Sequence, residues 1–265
     1  MQCWYMNGAG NDFMVVDIRG REMDLEQTAK ELCKLTGADG FMAADVSSIA
    51  DFKLHFYNAD GSRGEMCGNG ARCICRFAFD NGIAGENMTV ETDAGVVEGK
   101  RLSESQYVVK LNEPSVVDLN RIGDTAYVEL GDPGVPHAVK EIPELCWEMG
   151  EQLRAMAKEL RYHPAFPKGA NVNLYSWIGE NRVRILTYER GVEDFTLACG
   201  TGAASVAAVL TLKGLLSGED VHVRSAGGVL TVDMDRVGSR IDNLYLTGTT
   251  NFVAEGEITD EELPQ

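Results

Sequence analysis

The sequence has few basic residues, only four histidines and no apolar run long enough to cross a bilayer. Its longest helix-like apolar run, residues 206–212, is far shorter than the roughly 20 residues that a membrane-spanning helix needs. The chain carries 24 basic against 41 acidic residues, a formal net charge of −17. Such a charge repels nucleic acid and anionic membranes, so neither is expected as a partner. An anionic substrate would therefore have to be attracted by local features of a site.

No export signal is expected either, because residues 1–5 contain no basic segment followed by an apolar stretch. We therefore expect a cytoplasmic location. Seven cysteines, an odd number, then indicate thiols rather than a disulfide framework. Cys67, Cys73 and Cys75 do not have the paired spacing of a zinc site, and no metal is expected.

The dominant pattern is an internal repeat, which aligns Cys67 with Cys199 at an offset of 132 positions. In both halves an alternating stretch, typical of a strand, precedes a Cys-Gly-x-Gly-Ala motif. An apolar run of helical length follows the motif and stops at Asn81-Gly82 or Lys213-Gly214, where glycine can end a helix. Two further strands complete each half. The repeat predicts helices over 71–79 and 203–212, and strands over 88–92, 96–100, 221–224 and 229–234.

Both predicted helices are apolar nearly all round, which indicates that each is buried on every side. We therefore predict an α/β (α+β) fold of two pseudo-symmetric domains, each a β-sheet or barrel wrapped around a central helix. One domain would comprise 1–113 with the tail at about 250–265, and the other 114–249. A third, amphipathic helix is predicted over 144–160, and the acidic tail, 255–265, is predicted to be loose.

A cysteine at the start of a buried helix has a specific chemical advantage. The first N–H groups of a helix have no partner within it and form an anion site at the positive end of the dipole. Gly68 and Asn69 would present such groups after Cys67, as Gly200 and Thr201 would after Cys199. The same field favours the thiolate, so each element offers both a carboxylate cradle and a proton-transferring sulfur.

Two such elements placed face to face would hold a carboxylate between two helix N-termini, with one sulfur on each side of the α-carbon. A thiolate would remove the α-proton and the opposite thiol would return one, which inverts the carbon. Fixed N–H donors would stabilise the charge that builds on the carboxylate. The chemistry then needs no electron-sink cofactor, and none is expected.

The motifs that carry this chemistry run in order along nearly the whole chain, and together they resemble the diaminopimelate epimerase family. They are residues 6–13, 56–61, 65–73, 188–191 and 198–202. The resemblance implies interconversion of LL- and meso-diaminopimelate for lysine and peptidoglycan synthesis, without pyridoxal phosphate. It also implies the two-domain, pseudo-symmetric fold.

The resemblance further implies roles for individual residues. Cys67 and Cys199 match the paired thiol base and acid. Arg190 would donate two hydrogen bonds to the distal carboxylate of the substrate, and Glu189 would accept a hydrogen bond from its distal ammonium. His137 flanks the site, and whether it supports the site or is structural stays open. The remaining implied contacts are Asn11 near the reacting carbon, Gly68, Asn69, Gly200 and Thr201 around the α-carboxylate, and Asn58 and Asn171 at the distal end.

Three positions depart from the family pattern, namely Gly40, Val135 and Phe195, and one extra residue lies between Gly191 and Cys199. These departures do not affect the proton chemistry, but they leave the identity of the substrate open. A racemase of another amino acid, such as histidine or a proline derivative, is the main alternative. An isomerase of other substrates on the same fold, and a thiol redox or sensing protein, are further ones. An amino-acid substrate is the expected partner. Whether the chain forms a homodimer stays open.

Overall fold

The computed structural model describes residues 1–64 and 67–259 of the chain. These residues form four α-helices and sixteen β-strands, which divide into two compact units. Unit 1 comprises Met1–Val109 and Gly248–Gln265, and unit 2 comprises Lys110–Thr247. Glu65 and Met66 of the family-like motif, and residues 260–265 of the predicted tail, lie outside the described residues.

Unit 1 is a closed barrel around one helix. Seven of its strands follow chain order in the sheet, and the last strand of the chain pairs with both the seventh and the first, which closes eight strands into a ring. The elements are β1 (Gln2–Gly8), β2 (Asn11–Asp17), α1 (Leu25–Thr36), β3 (Gly40–Asp45), β4 (Phe52–Asn58), α2 (Gly68–Asp80), β5 (Asn87–Thr92), β6 (Gly95–Arg101), β7 (Gln106–Lys110) and the end of β16 (Arg240–Glu257).

Unit 2 wraps a sheet around a second helix. Its strands are hydrogen-bonded in the order β16-β15-β14-β12-β11-β10-β9-β8, and β13 pairs with β12. A 3-10 turn, Trp147–Met149, precedes α3. The elements are β8 (Pro114–Ile122), β9 (Thr125–Leu130), β10 (Val135–Glu141), α3 (Gly150–Arg161), β11 (Asn171–Gly179), β12 (Arg182–Glu189), β13 (Asp194–Thr196), α4 (Gly200–Leu212), β14 (Val221–Ser225) and β15 (Gly228–Val237).

The predicted repeat is present and extends further upstream than the sequence indicated. In unit 1, β4 and β5 are parallel neighbours joined by α2; in unit 2, β12 and β14 are parallel neighbours joined by α4. Likewise α1 joins the parallel pair β2 and β3, and α3 joins the parallel pair β10 and β11. The predicted fold class, two pseudo-symmetric halves of sheet around helix, is therefore confirmed.

The two central helices are buried as predicted. Every residue of α4 except Thr201 is buried, and ten of the thirteen residues of α2 are. Each fully buried valine or leucine of α4 contributes about 1.5–3 kcal/mol relative to exposure. Both helices begin directly after their cysteine, three residues earlier than predicted. As predicted, α4 ends at Leu212 and Gly214 is left-handed, and Leu215 beyond it is exposed.

The third helix begins later than predicted, and one helix was not predicted. Glu144 has a φ of +55° and Cys146 is extended, so neither residue is helical and α3 begins only beyond Cys146. Helix α1 carries recognisable end signals: the Asp24 side chain accepts from the N–H of Gln27, and Gly37 at its carboxyl end has a φ of +75°.

The start of the predicted loose tail is instead tied into the sheet. Glu255 and Glu257 of β16 pair with Trp4 and Gln2 of β1. The main-chain N–H of Ile258 donates to the carbonyl of Met1 at 2.7 Å. Strand pairing with the opposite end of the chain is a long-range contact, which local composition does not reveal. Among the described residues, no helix is both long and apolar enough to span a membrane.

Candidate active site

Cys67 occupies the N-cap position of α2, with extended backbone angles of φ −113° and ψ 122°. The thiol is half-buried, whereas Gly68 and Asn69 behind it are buried. The helix start lies directly against β1, where a Cβ at Gly8 would be 2.9 Å from the carbonyl oxygen of Asn69 and 2.8 Å from Cys73 Sγ. Glycine at position 8 is therefore what allows this turn to approach the strand so closely.

A chain of side-chain hydrogen bonds runs through the first turn of α2. Asn69 Nδ2 donates to Asn11 Oδ1 at 2.8 Å, and Asn11 Nδ2 donates to Asp39 Oδ2 at 3.2 Å. From the other side, Arg72 Nη2 donates to Asn69 Oδ1 at 2.8 Å. Two predicted site residues, Asn11 and Asn69, are thus in direct contact. Arg72, which was not predicted as a site residue, holds the second of them.

Asn58 is held in a different local arrangement. It is the last residue of β4, is exposed, and its Nδ2 donates to Ser62 Oγ at 3.0 Å within a tight turn. The departure at Gly40 has a packing reason nearby, because a Cβ there would lie 2.8 Å from the Phe56 ring and 3.0 Å from the carbonyl oxygen of Tyr57. Any larger residue at position 40 requires the Phe56 ring to move.

Cys199 occupies the corresponding N-cap of α4, with φ −128° and ψ 112°. Its sulfur accepts the main-chain N–H of Gly202 at 3.3 Å and lies 3.5 Å from Thr201 Oγ1. Both N-cap cysteines therefore have nearly the same backbone conformation at the start of equivalent helices. An N–H donor aimed at the sulfur stabilises negative charge on it, as a proton-abstracting thiolate requires.

Asn173, on β11, supports the helix start of unit 2 and was missed in the sequence. Its Nδ2 donates to His137 Nδ1 at 3.2 Å, and its Oδ1 accepts from Thr187 Oγ1 at 3.0 Å. A Cβ at Gly202 would collide with that same Oδ1. The first turn of α4 thus packs directly on the amide of Asn173. The Asn-Val-Asn alternation on a strand, which puts Asn171 and Asn173 on one face, is the signal that could have found it.

His137 is completely buried on β10. Burial lowers its pKa to about 3, so the ring is neutral at physiological pH. Because Asn173 donates to Nδ1, the ring proton is assigned to Nε2, which has no hydrogen-bond partner among the described residues. The structure therefore connects His137 to the α4 start through Asn173.

Three of the four residues predicted at the distal end, Asn171, Glu189 and Arg190, lie where β11 begins and β12 ends, whereas Asn58 belongs to unit 1. The buried Asn171 accepts the main-chain N–H of Arg190 through Oδ1 at 2.8 Å and donates through Nδ2 to the carbonyl of Pro136 at 3.2 Å. Its amide thus joins the Arg190 backbone to the strand that carries His137. Glu189 is half-buried at the end of β12, two positions beyond Thr187 and therefore on the same face.

Arg190 supplies an exposed positive charge in this region. Its guanidinium is exposed and donates from Nη1 to the carbonyl of Lys168 at 3.2 Å. The charge of Lys168 is already matched, because its Nζ donates to the buried carboxylate of Glu129 at 2.7 Å. This is a local feature of the kind that an anionic group needs on a chain of net charge −17.

The two departures in unit 2 lie in structural positions. Phe195 on β13 packs edge-on against Tyr188 with ring centroids 5.4 Å apart. Val135 is the first residue of β10 and pairs with Leu130. An apolar ring at position 195 thus covers the edge of the core of unit 2.

The chain is similar to known proteins in both sequence and fold. The family model described as diaminopimelate epimerase matches residues 3–117 and 131–253. The diaminopimelate epimerase of Aquifex aeolicus is 36% identical over 283 residues, covering 99% of this chain and 99% of that protein.

Two solved structures share the fold at low sequence identity. A phenazine biosynthesis protein of the PhzF family from Bacillus anthracis matches with a TM-score of 0.72 at 14% identity, covering 98% of this chain and 99% of that one. A hydroxyproline epimerase from Agrobacterium vitis, with bound trans-4-OH-L-proline, matches with a TM-score of 0.66 at 16% identity, covering 97% and 90%. At such low identities the likeness shows that the fold is shared, and it says nothing about the substrate of this chain.

Proposed function

We propose that this chain, which belongs to the diaminopimelate epimerase family, interconverts LL- and meso-2,6-diaminopimelate by inverting one α-carbon. Membership of the family makes the chain an isomerase of the epimerase class. The proposed chemistry is proton transfer by two sulfurs, Cys67 and Cys199, acting on opposite faces of that carbon.

The proposed step balances without any external reagent. One cysteine, as thiolate, takes the α-proton: the C–H bond breaks, an S–H bond forms, and the electron pair stays on the substrate. The other cysteine, as thiol, then gives its proton to the opposite face of the carbon and becomes the thiolate. The α-carboxylate accepts the developing charge, and N–H groups at the helix starts, Gly68-Asn69 and Gly200-Thr201, stabilise it there.

The observation that carries the proposal is the duplicated N-cap cysteine. Cys67 and Cys199 begin equivalent buried helices with matching extended backbone angles. A structural cysteine has no reason to recur at the N-cap of both central helices, where serine, threonine, asparagine or aspartate is the ordinary choice. A thiol at that position gains what proton transfer requires, namely stabilisation of its charged form.

The choice of diaminopimelate depends on the distal pair, Glu189 and Arg190. Diaminopimelate carries a second amino-acid group at its far end, and a guanidinium beside a carboxylate matches that group in charge. The Asn171 side chain accepts the main-chain N–H of Arg190. This hydrogen bond fixes the backbone from which the guanidinium extends.

The proposal is tested by following inversion with chiral chromatography, under strong reductant and without added cofactor. The substrates are LL- and meso-diaminopimelate, L-lysine, L-histidine, L-proline and trans-4-hydroxy-L-proline. We expect diaminopimelate to be inverted at least about 10²-fold faster than lysine, which lacks only the distal carboxylate. Faster inversion of histidine or a proline derivative would assign the chain to the alternative racemase. Loss of all inversion under reductant, with activity only after the cysteines are oxidised, would instead favour thiol redox chemistry.

The proposed reaction also implies a biological setting. Meso-diaminopimelate is the product that lysine and peptidoglycan synthesis use, so we assign the chain to that route in the cytoplasm. Seven thiols in one chain are compatible with a reducing compartment.

A further inference from the structure

Arg72 is a completely buried cation in the second turn of α2. Burying a charged side chain costs several kcal/mol unless an opposite charge and hydrogen bonds compensate for it. Its side chain turns back toward the helix start, donating to the carbonyl of Gly68 at 3.0 Å and to Asn69 Oδ1 at 2.8 Å. Both acceptors are neutral, and among the described residues Nε has no hydrogen-bond partner.

The position of this charge is unfavourable for the helix itself. The N-terminal end of a helix is the positive end of its dipole and stabilises anions, yet α2 has no acidic residue in its first turn and instead receives a guanidinium there. Helix stability therefore does not explain Arg72. The cost is offset only when an anion lies close by.

The groups around the guanidinium narrow the choice of that anion. Among the described residues, the ionisable groups whose charge acts on the guanidinium are Cys73, Cys67 and Cys75. Burial raises the pKa of Cys73 and of Cys75 to about 12, so both stay neutral thiols at physiological pH. Cys67, which is half-buried and at the N-cap, is the neighbour that can carry a negative charge.

Charged groups on the strands packed against α2 make hydrogen bonds and ring contacts with residues other than Arg72. On β2, the Asp12 carboxylate accepts from Asn7 Nδ2 at 2.7 Å, and on β3, Asp45 pairs with His55 Nε2 at 3.1 Å. On β6, Arg101 lies over the Phe79 ring, in the last turn of the helix. The exposed Asp39 is connected to Arg72 only through two amide side chains.

We propose that Arg72 is a positioning residue whose buried guanidinium is the counter-charge of the Cys67 thiolate and holds Asn69 in the carboxylate cradle. This inference rests on the proposed function for its purpose, because a persistent thiolate is useful only to a proton-abstracting sulfur. The substrate carboxylate is the rival anion, and it would engage Arg72 only after binding.

The test is the alkylation rate of Cys67 by iodoacetamide as a function of pH, in the full chain without substrate. Trypsin cleaves after Arg63 and Arg72 and so isolates Cys67 from the other cysteines, and in the variant, fragment-ion masses locate the label. In Arg72→Met we expect alkylation at pH 7 to be about tenfold slower and its midpoint to rise by about one pH unit. Arg72→Lys, which keeps the charge, should restore most of the rate but raise KM for diaminopimelate, because the hydrogen bond from Arg72 Nη2 to Asn69 Oδ1 is lost.

Arg76→Met is the matched control, since Arg76 lies one turn further along the same helix and pairs with Asp80 and the carbonyl of Thr250. We expect its Cys67 alkylation to equal that of the unmodified chain. Unchanged alkylation in folded Arg72→Met, or an equal loss in Arg76→Met, would overturn the proposal. If only KM changed in Arg72→Met, the substrate carboxylate would be the anion.

The unmodified chain offers a measurement that does not depend on the folding of any variant. Its Cys67 alkylation midpoint should lie below the value of about 8.5 of an ordinary thiol, and a midpoint at or above that value contradicts the proposal. The alkylation measurements use no substrate. A chain that fails to invert diaminopimelate, yet shows the Arg72 effect, would therefore refute the proposed function and leave this inference standing.

Discussion

Replacing either Cys67 or Cys199 by alanine is expected to lower the rate of inversion of diaminopimelate by at least about 10³-fold, because each sulfur supplies one of the two proton transfers. In the proposed mechanism, the remaining thiol still faces one side of the α-carbon. Each variant should therefore exchange the α-proton of one stereoisomer with solvent without inverting it, and the two variants should differ in which isomer they exchange. Chiral chromatography measures the inversion, and mass spectrometry in deuterated water measures the exchange.

Cys146→Ala is the control for these two variants. Cys146 is also half-buried and is also an N-cap residue, but it precedes a short 3-10 turn rather than a central helix. We expect its turnover to be unchanged. Near-normal inversion in either Cys67→Ala or Cys199→Ala would refute a mechanism that needs two sulfurs.

Replacing Arg190 by glutamine is expected to reduce kcat/KM for diaminopimelate by about 10²–10³-fold, mainly through KM, because a charge-assisted fork onto the distal carboxylate is lost. Lysine is diaminopimelate without that carboxylate. Its slow α-proton exchange should therefore be the same in Arg190→Gln as in the unmodified chain, and the two substrates together isolate the distal contact.

Arg182→Gln provides the matched control, since Arg182 is an exposed arginine at the opposite end of the same strand, β12. It should leave both substrates unaffected. Equal losses of diaminopimelate and lysine turnover in Arg190→Gln would mean that Arg190 supports the structure of unit 2 rather than binding the distal group.

The features that were predictable from the sequence are those encoded within a few residues. A Cys-Gly-x-Gly-Ala motif followed by an apolar run is a local pattern, and its repetition at Cys199 revealed both the pseudo-symmetry and the two helix starts. The glycines that end these helices, Gly82 and Gly214, are left-handed as expected. Local signals also mark the ends of α1, at Asp24 and Gly37. These residues lie outside the repeat that is visible in the sequence.

What the sequence did not predict depends on contacts between distant segments. The closure of the unit 1 barrel requires β16 to pair with β1, at the other end of the chain. Asn173 acquires its place only when β11, β10 and β12 lie side by side and α4 packs on them. Nothing in the local sequence marks Arg72 as buried, because its complete burial follows from the barrel that surrounds α2.

The position of deuterium during the reaction tests the two-sulfur mechanism most directly. A sulfur carries a single proton, so the proton taken from LL-diaminopimelate stays on the first cysteine while the second delivers one that came from solvent. Early in a reaction in deuterated water, we predict one deuterium at the inverted carbon of the meso product and none in the unreacted LL substrate. A product that keeps the original proton, or label that enters the LL substrate before any inversion, would contradict the mechanism.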